Sequence, residues 1–191
     1  MYKLCKSEQS ATRQRELEQQ LLAMMNMFRY EEITVSDFCI HAGIPRKAFY
    51  RYFSSKEGAL HALIDHTLVQ LEGFSAAMQP DQEIIRLNEL AWFFRFWQDQ
   101  KVLLDALERN GLGKVLVERT IEHAMENVVI SNRYGSKDMA NAREFGLTFA
   151  VSGFMTMVLK WHRTGYSLRP EQMAELTLEL LTNPLIQIVA Q

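Results

Sequence analysis

Apolar residues recur every three or four positions along almost the whole chain, and no run alternates strictly between apolar and polar residues. The first spacing is typical of an amphipathic helix and the second of a strand. The pattern therefore predicts an all-α protein. Its helices are predicted over residues 12–29, 36–41, 46–53, 56–77, 81–99, 101–110, 113–131, 138–164 and 170–190. The apolar face of the first consists of Leu17, Leu21, Met25 and Phe28.

Residues 34–53 predict two short helices joined by a tight turn. Thr34 can cap the first of them, with Asp37 completing a capping box three positions later. Gly43 can take the left-handed conformation that ends this helix, and Pro45 suits the first turn of the next. Two short helices joined by such a turn form a helix-turn-helix.

Positive charge concentrates in the same stretch, because residues 42–60 carry four basic residues and one acid. Phe49 and Phe53, four positions apart, are expected to face inward. This leaves an outer face of Arg46, Lys47, Tyr50 and Arg51.

The next predicted helix begins with Ser54 as its cap and Glu57 as the partner in a capping box. Lys56 lies in the first turn, where free backbone N–H groups favour an anion. A basic helix tipped with aromatic residues, beside such a helix start, suits a DNA groove and its phosphates. A solvated basic face is the alternative, but the cap and turn residues in register favour nucleic acid.

Composition limits the class of protein. The chain has 191 residues, of which 48% are hydrophobic and 23% charged, which is typical of a globular protein. Residues 1–60 carry nine Lys and Arg against seven Asp and Glu, whereas residues 61–191 carry twelve against sixteen. Cys5 and Cys39 have no paired spacing and are expected to be reduced thiols. We expect a cytoplasmic location and no membrane partner, since no apolar run reaches the ~20 residues of a membrane span.

The segment ITVSDFCIHAGIPRKAFYRYFSSKEGAL closely resembles the DNA-binding segment of the tetracycline-repressor (TetR) family of bacterial transcriptional regulators. With the first helix, the resemblance covers roughly residues 12–64. It implies a three-helix DNA-binding domain, expected over residues 1–55, and a helical body over residues 56–191 that dimerises and binds a small effector. By position, it implies phosphate contacts from Thr34, Tyr50, Tyr52 and Lys56. It also implies that the residues nearest the base edges are Pro45, Arg46 and Lys47.

The predicted helix over 138–164 is apolar all round its centre, so it must be covered on both sides. One side holds Phe145, Phe149, Ser152, Thr156 and Leu159, and the other holds Leu147, Phe154, Val158 and Trp161. One side can pack on the body and the other on a second subunit, where Gly146 and Gly153 allow close approach. We expect a four-helix interface with the last helix, in a homodimer. Its predicted contacts are Phe154, Val158, Trp161, Met173, Leu176 and Leu180.

Aromatic residues are densest in the stretch AWFFRFWQDQ, and small-molecule sites have aromatic walls with few polar groups. A candidate effector site therefore combines Phe93, Phe94, Trp97, His123, Asn127 and Phe149. Core packing is the more common role of each aromatic residue taken alone.

No motif predicts catalysis, a metal or a cofactor. His61, Asp65 and His66 lie at helical spacing, but no further ligand supports a metal site, and a solvated helix face is expected instead. The sequence therefore predicts a non-enzymatic regulator, a homodimeric repressor released from a pseudo-palindromic DNA operator by a small molecule. The alternative is an interaction protein of the same fold that lacks operator binding.

Overall fold

The computed structural model describes residues 2–3, 5, 7–77, 87–127 and 140–183, without the side chains of residues 73–77, 127 and 140–143. Apart from one isolated bridge, the regular secondary structure in these ranges is α-helical, which confirms the all-α prediction. The helices are α1 (Glu8–Met27), α2 (Val35–His41), α3 (Arg46–Tyr52), α4 (Lys56–Ala77), α5 (Leu87–Asp99), α6 (Lys101–Arg109), α7 (Gly113–Asn127), α8 (Ala140–Arg163) and α9 (Pro170–Thr182). The predicted starts of the fifth and eighth helices and the predicted ends of the seventh and ninth fall outside the described residues.

Helices α1, α2 and α3 form a compact unit, which we call the head. Ser7 caps α1 by accepting a hydrogen bond from the backbone N–H of Ser10 at 3.3 Å. The predicted apolar face of α1 is buried at Leu17, Leu21 and Met25. Phe28, predicted on the same face, is instead 52% exposed, because α1 ends at Met27 and the backbone of Phe28 is extended.

Helix α4 runs from the head into the rest of the chain, and two contacts with buried carboxylates connect it to α1 and α7. His66 Nδ1 lies 2.9 Å from a carboxylate oxygen of Glu18 on α1. The carboxylate of Asp65 accepts from Arg119 on α7, with Nε at 2.9 Å. The expected solvated face of α4 is therefore wrong at these positions, since Asp65 is only 4% exposed. Because burying two charges is costly, removal of either Asp65 or Arg119 would leave the other without its partner and destabilise the fold.

Helices α5 to α9 form the body, in which α5 packs on α9 and α7 on α8. The aromatic residues of α5 supply much of its core. The ring of Phe94 contacts Trp161 of α8 with 5.6 Å between centroids, and Phe93 contacts Phe154 at 5.7 Å, both edge to face. Trp97 has no exposed surface. One continuous cluster of buried residues joins the head, α4 and the body.

None of the helices in the described ranges is both long and apolar enough to cross a membrane.

Candidate nucleic-acid interface

Local sequence signals build the turn between α2 and α3. Thr34 Oγ1 accepts from the backbone N–H of Asp37 at 3.1 Å, and the Asp37 carboxylate accepts from the Thr34 N–H at 3.1 Å, which completes the predicted capping box. The Thr34 hydroxyl also donates to the Asp37 carboxylate at 2.6 Å, and this bond, together with the one from the Thr34 N–H, lowers the pKa of Asp37. Gly43 has a φ of 62°, the left-handed region predicted for it, and the N–H of Ile44 then bonds the Cys39 carbonyl at 3.0 Å.

Buried aromatic rings fix the orientation of α3. Phe49 and Phe53 are 1% and 0% exposed, which confirms their predicted inward direction. The ring of Phe49 contacts Phe38 of α2 and Phe53, each with 5.3 Å between centroids. With one face of α3 held in this core, the opposite face points to solvent.

The exposed face of α3 carries the predicted DNA-contacting side chains. Exposed residues here are Pro45, Arg46, Lys47, Tyr50 and Arg51. An Arg46 guanidinium N–H donates to the Tyr50 hydroxyl at 3.4 Å, and this contact raises the pKa of Arg46. No carboxylate is hydrogen-bonded to Arg46 or Lys47 among the contacts that the structure describes. Both cations therefore remain available to an anionic partner.

Thr34 and Tyr52 differ in accessibility. Thr34 is exposed at the start of α2. Tyr52 is 8% exposed, so most of the residue belongs to the head core, and its phosphate contact stays a prediction. It also lines a polar groove of about 690 Å³ whose other members include Arg13 and Arg51.

Lys56 begins α4, and its half-buried side chain is hydrogen-bonded to the loop that follows α1. Nζ donates to the carbonyl of Tyr30 at 2.6 Å and lies 3.4 Å from that of Glu31. It also lies 4.2 Å from the centroid of the Tyr30 ring, a cation–π distance. The cap of α4 differs from the prediction, because the Gly58 N–H bonds Ser55 Oγ at 3.1 Å, one residue after Ser54.

The N-terminal segment adds residues that the sequence did not single out. Tyr2 forms an isolated antiparallel bridge with Phe53. The Lys3 N–H donates to the Tyr52 carbonyl at 2.9 Å, and Lys3 Nζ donates to the Tyr50 carbonyl at 3.1 Å. Lys3 is thereby placed beside the end of α3. A single lysine in a short polar segment carries no pattern from which this position could have been found.

The predicted effector residues do not form one site. Phe94 and Trp97 are fully buried in the body core, and Phe93 is half-buried against Phe154. His123 Nε2 lies 2.9 Å from a Glu72 carboxylate oxygen on α4. Phe149 is 83% exposed on the far side of α8, so it is separated from the α5 patch. The side chain of Asn127 lies outside the description. Core packing, the more common role, therefore accounts for the buried α5 rings.

The side of α8 that was predicted to contact a second subunit is buried in the body, and the opposite side is exposed. Val158, Trp161 and Met173 are buried within the subunit, at 0%, 3% and 5% exposed, and Phe154 is half-buried. Phe154 and Trp161 contact the α5 rings of Phe93 and Phe94, so these buried side chains cannot by themselves cover a second subunit. Leu176 remains exposed and Leu180 half-buried.

The outer side of α8 carries Phe145, Phe149, Ser152 and Thr156 and faces away from the body. Leu159, predicted on the same side, is instead 5% exposed. Phe145 and Phe149 are 74% and 83% exposed. A groove of about 770 Å³ follows this side, lined among others by Phe149, Gly153, Lys160 and Leu176. A Cβ atom added at Gly146 or Gly153 would meet nothing within 4 Å, so the backbone is open at both.

In the described part of the chain, no group of three or more His, Cys, Asp or Glu side chains is arranged to hold a metal ion. The side chains that come together at the head are basic, aromatic and hydroxyl-bearing. They can bind an anion by hydrogen bonds and charge.

A comparison with protein-family models matches residues 100–183 to the TetR-type family described as "Transcriptional regulator C-terminal region". This match lies in the body, whereas the resemblance noted from sequence lies in residues 12–64. It confirms the resemblance to TetR-family transcriptional regulators from a separate part of the chain. No curated protein matches the chain significantly.

Several solved structures are similar to the chain, each with a TM-score of 0.49. One is the dihydroxyacetone kinase operon activator DhaS, at 17% identity over 88% of this chain and 93% of that one. Another is a TetR-family transcriptional regulator from Bordetella parapertussis 12822, at 18% identity over 93% and 98%. A third is the fatty acid degradation regulator FadR from Bacillus halodurans, at 16% identity over 97% and 100%.

Proposed function

We propose that this TetR-type regulator is a homodimeric repressor that binds a pseudo-palindromic DNA operator through α3 and is released by a small-molecule effector. The observation that carries the DNA-binding part is the exposed face of α3, where Arg46, Lys47, Tyr50 and Arg51 project from a helix held by Phe49 and Phe53. Arg and Lys side chains on a helix of this kind can reach base edges in the major groove.

The dimer is supported by the outer side of α8. Two exposed phenylalanines, 74% and 83% accessible, and two open glycine positions form an apolar surface on one helix. Exposed apolar surface of this kind is typical of protein interfaces. A two-fold axis through this surface would present two copies of α3, and each would read one half-site about one helical turn or somewhat more from the other.

The DNA-binding proposal is tested by selecting genomic fragments that the purified protein retains, followed by titration of the selected site. Arg46→Ala and Lys47→Ala are expected to change which bases are preferred, by ~1–3 kcal/mol for a bidentate contact. Tyr50→Phe is expected to weaken binding to all sequences alike.

Lys114→Ala is the matched control for Lys47→Ala, since it removes an exposed lysine from α7 in the body. It is expected to leave base preference unchanged. If Lys47→Ala and Lys114→Ala behave alike, a base contact from Lys47 is refuted. If no fragment is enriched, operator binding itself is refuted. The interaction protein without operator binding would then be favoured.

The proposal of an effector is supported by an unpaired buried donor in the described part of the body. The Trp97 indole N–H is buried and has no acceptor among the described residues, so an effector that reaches it would need an acceptor atom on an apolar frame. A tenfold change in DNA affinity needs ~1.4 kcal/mol of coupling, and operator DNA must weaken effector binding by the same factor. Calorimetric titration of a candidate effector with and without operator measures this. Equal effector affinities would leave a repressor without a switch.

A further inference from the structure

Asn110, the C-cap of α6, makes three hydrogen bonds through its side chain at the junction between body and head. Its Oδ1 accepts from the Tyr30 N–H at 2.6 Å. Its Nδ2 donates to the carbonyls of Met25 at 3.1 Å and Ala106 at 2.7 Å. Met25 lies in the last turns of α1 and Tyr30 in the loop that follows. One amide therefore joins the end of α6 to the backbone on both sides of the end of α1.

Tyr30 joins the same point to the first residue of α4. Its carbonyl accepts from Lys56 Nζ at 2.6 Å, and its ring lies 4.2 Å from that nitrogen. The ring is 8% exposed, so Lys56 is held against a fixed part of the core. Tyr30 thus donates its N–H to Asn110 at the end of α6, and its carbonyl and ring both contact Lys56 at the start of α4.

Further hydrogen bonds connect α6 to α1 at this junction. An Arg109 guanidinium N–H donates to the Asn26 carbonyl. Asn26 Nδ2 in turn donates to the Leu22 carbonyl at 2.9 Å and reaches the Val102 carbonyl at 3.5 Å. Both ends of α6 are therefore bonded to the last turns of α1. A displacement of α6 cannot leave Tyr30 where it is unless these bonds break.

We infer that Asn110 is a positioning residue for DNA binding, which acts through Tyr30 to fix the ammonium of Lys56 at the start of α4. The inference rests on the proposed DNA-binding function and adds how the body reaches the DNA-binding surface. A lysine ammonium has three N–H donors. The carbonyls of Tyr30 and Glu31 engage two, which leaves one for a DNA phosphate in a fixed direction.

The position of Lys56 is tested without DNA by NMR. The Tyr30 ring current shifts the ε-methylene resonances of Lys56 while the ammonium stays over the ring. In Asn110→Ala these resonances are expected to move toward the values of a solvated lysine, because the Tyr30 N–H has lost its acceptor. Asn183→Ala is the matched control, since it removes an exposed C-cap asparagine from α9. Unchanged Lys56 resonances in Asn110→Ala would overturn the inference.

The consequence for DNA is tested by a double-mutant cycle on affinity. Asn110→Ala is expected to weaken binding of the selected site by on the order of tenfold, the effect of one hydrogen bond to a charged group. The slope of log affinity against log salt is expected to fall by about one, as it should for Lys56→Ala. In a Lys56→Ala background, Asn110→Ala is expected to have little further effect. Independent, additive losses would show that Asn110 acts on stability alone, and would overturn the inference.

The two proposals fail in different ways. If the wild-type chain retains no DNA, the proposed function fails, and the NMR comparison still decides whether Asn110 fixes Lys56. Should Asn110→Ala not fold, Asn110→Asp provides a second variant, because it keeps an acceptor for the Tyr30 N–H and removes both donors. It is expected to retain more of the Lys56 ring-current shift than any variant without the acceptor. Loss of the whole shift in folded Asn110→Asp would overturn the role of the Tyr30 bond.

Discussion

The head and the α8–α9 pair of the body distribute their apolar residues differently. Helix α3 is apolar on one face only, so Phe49 and Phe53 go inward and the basic residues outward. Helix α8 is apolar on both sides, and its burial is decided by which side meets α5. The orientation of a helix that is apolar on one face can be predicted from its own sequence. The orientation of a helix that is apolar on both sides depends on which helices pack against it.

The largest expected effect tests the inner side of α8. Trp161→Ala removes a ring that packs on Phe94 and is 3% exposed, so the free energy of unfolding is expected to fall by ~3–5 kcal/mol. The measurement is urea denaturation at a protein concentration below that of dimerisation. Phe149→Ala on the same helix is the control, with an expected loss under about 0.5 kcal/mol in the isolated subunit. Equal losses would show that the two sides of α8 are not distinct.

The outer side of α8 is tested by charge. Phe149→Asp places a carboxylate on the surface that we propose as the dimer interface, and the expected loss of dimer affinity is about 2 kcal/mol or more. Sedimentation is expected to show monomers at micromolar concentration, with an unchanged helical content. Glu144→Gln, an exposed polar change on the same helix, should leave the dimer intact. A variant that stays dimeric would place the interface elsewhere.

Much of the head could be predicted because its signals are local. Thr34 and Asp37 are three residues apart, and Gly43 needs no distant partner to end α2. The orientation of α8 could not be predicted, since Phe149 and Trp161 are both large aromatic residues and nothing near them in sequence tells which one meets α5. The hydrogen bond from Lys56 to Tyr30 could not be predicted either, because its acceptor is a backbone carbonyl 26 positions away. Every residue has such a carbonyl, so no residue type marks the site.

A smaller effect is expected from the capping hydrogen bond of Thr34, which tests whether residues close in sequence stabilise the head. Thr34→Ala removes the Oγ1 that accepts from the Asp37 N–H, and the expected cost is ~1 kcal/mol of stability. Thermal denaturation followed by circular dichroism measures it. Thr12→Ala, an exposed threonine within α1, is the control and should change stability little. A similar loss in both variants would contradict a specific role of the cap.

The smallest expected effect concerns pH and the start of α4. Burial and the nearby Arg119 lower the pKa of His61, so the folded state binds a proton there less readily than the unfolded chain. Its contribution to stability is therefore complete above an unfolded pKa of about 6.5 and is lost as pH falls through the folded pKa. Glu18 acts in the opposite sense, because burial raises its pKa and its contribution is lost as pH rises through the folded value.

His61→Gln is expected to flatten the fall in melting temperature between about pH 7.5 and 5.5. His41→Gln, which replaces an exposed histidine of α2, is the matched control and should leave the pH profile as in the wild type. A profile that does not change in His61→Gln would exclude this histidine as a source of acid sensitivity.

The bridge between Tyr2 and Phe53 has a practical consequence for how the protein is prepared. Residues 2–3 lie against the end of α3, with Lys3 bonded to the carbonyls of both Tyr50 and Tyr52. An affinity tag fused ahead of Tyr2 would therefore emerge next to the surface that we propose for DNA. A polyhistidine tag at this place would compete with DNA for the exposed face of α3 or add its own charge to that face. Binding assays should use protein from which such a tag has been cleaved.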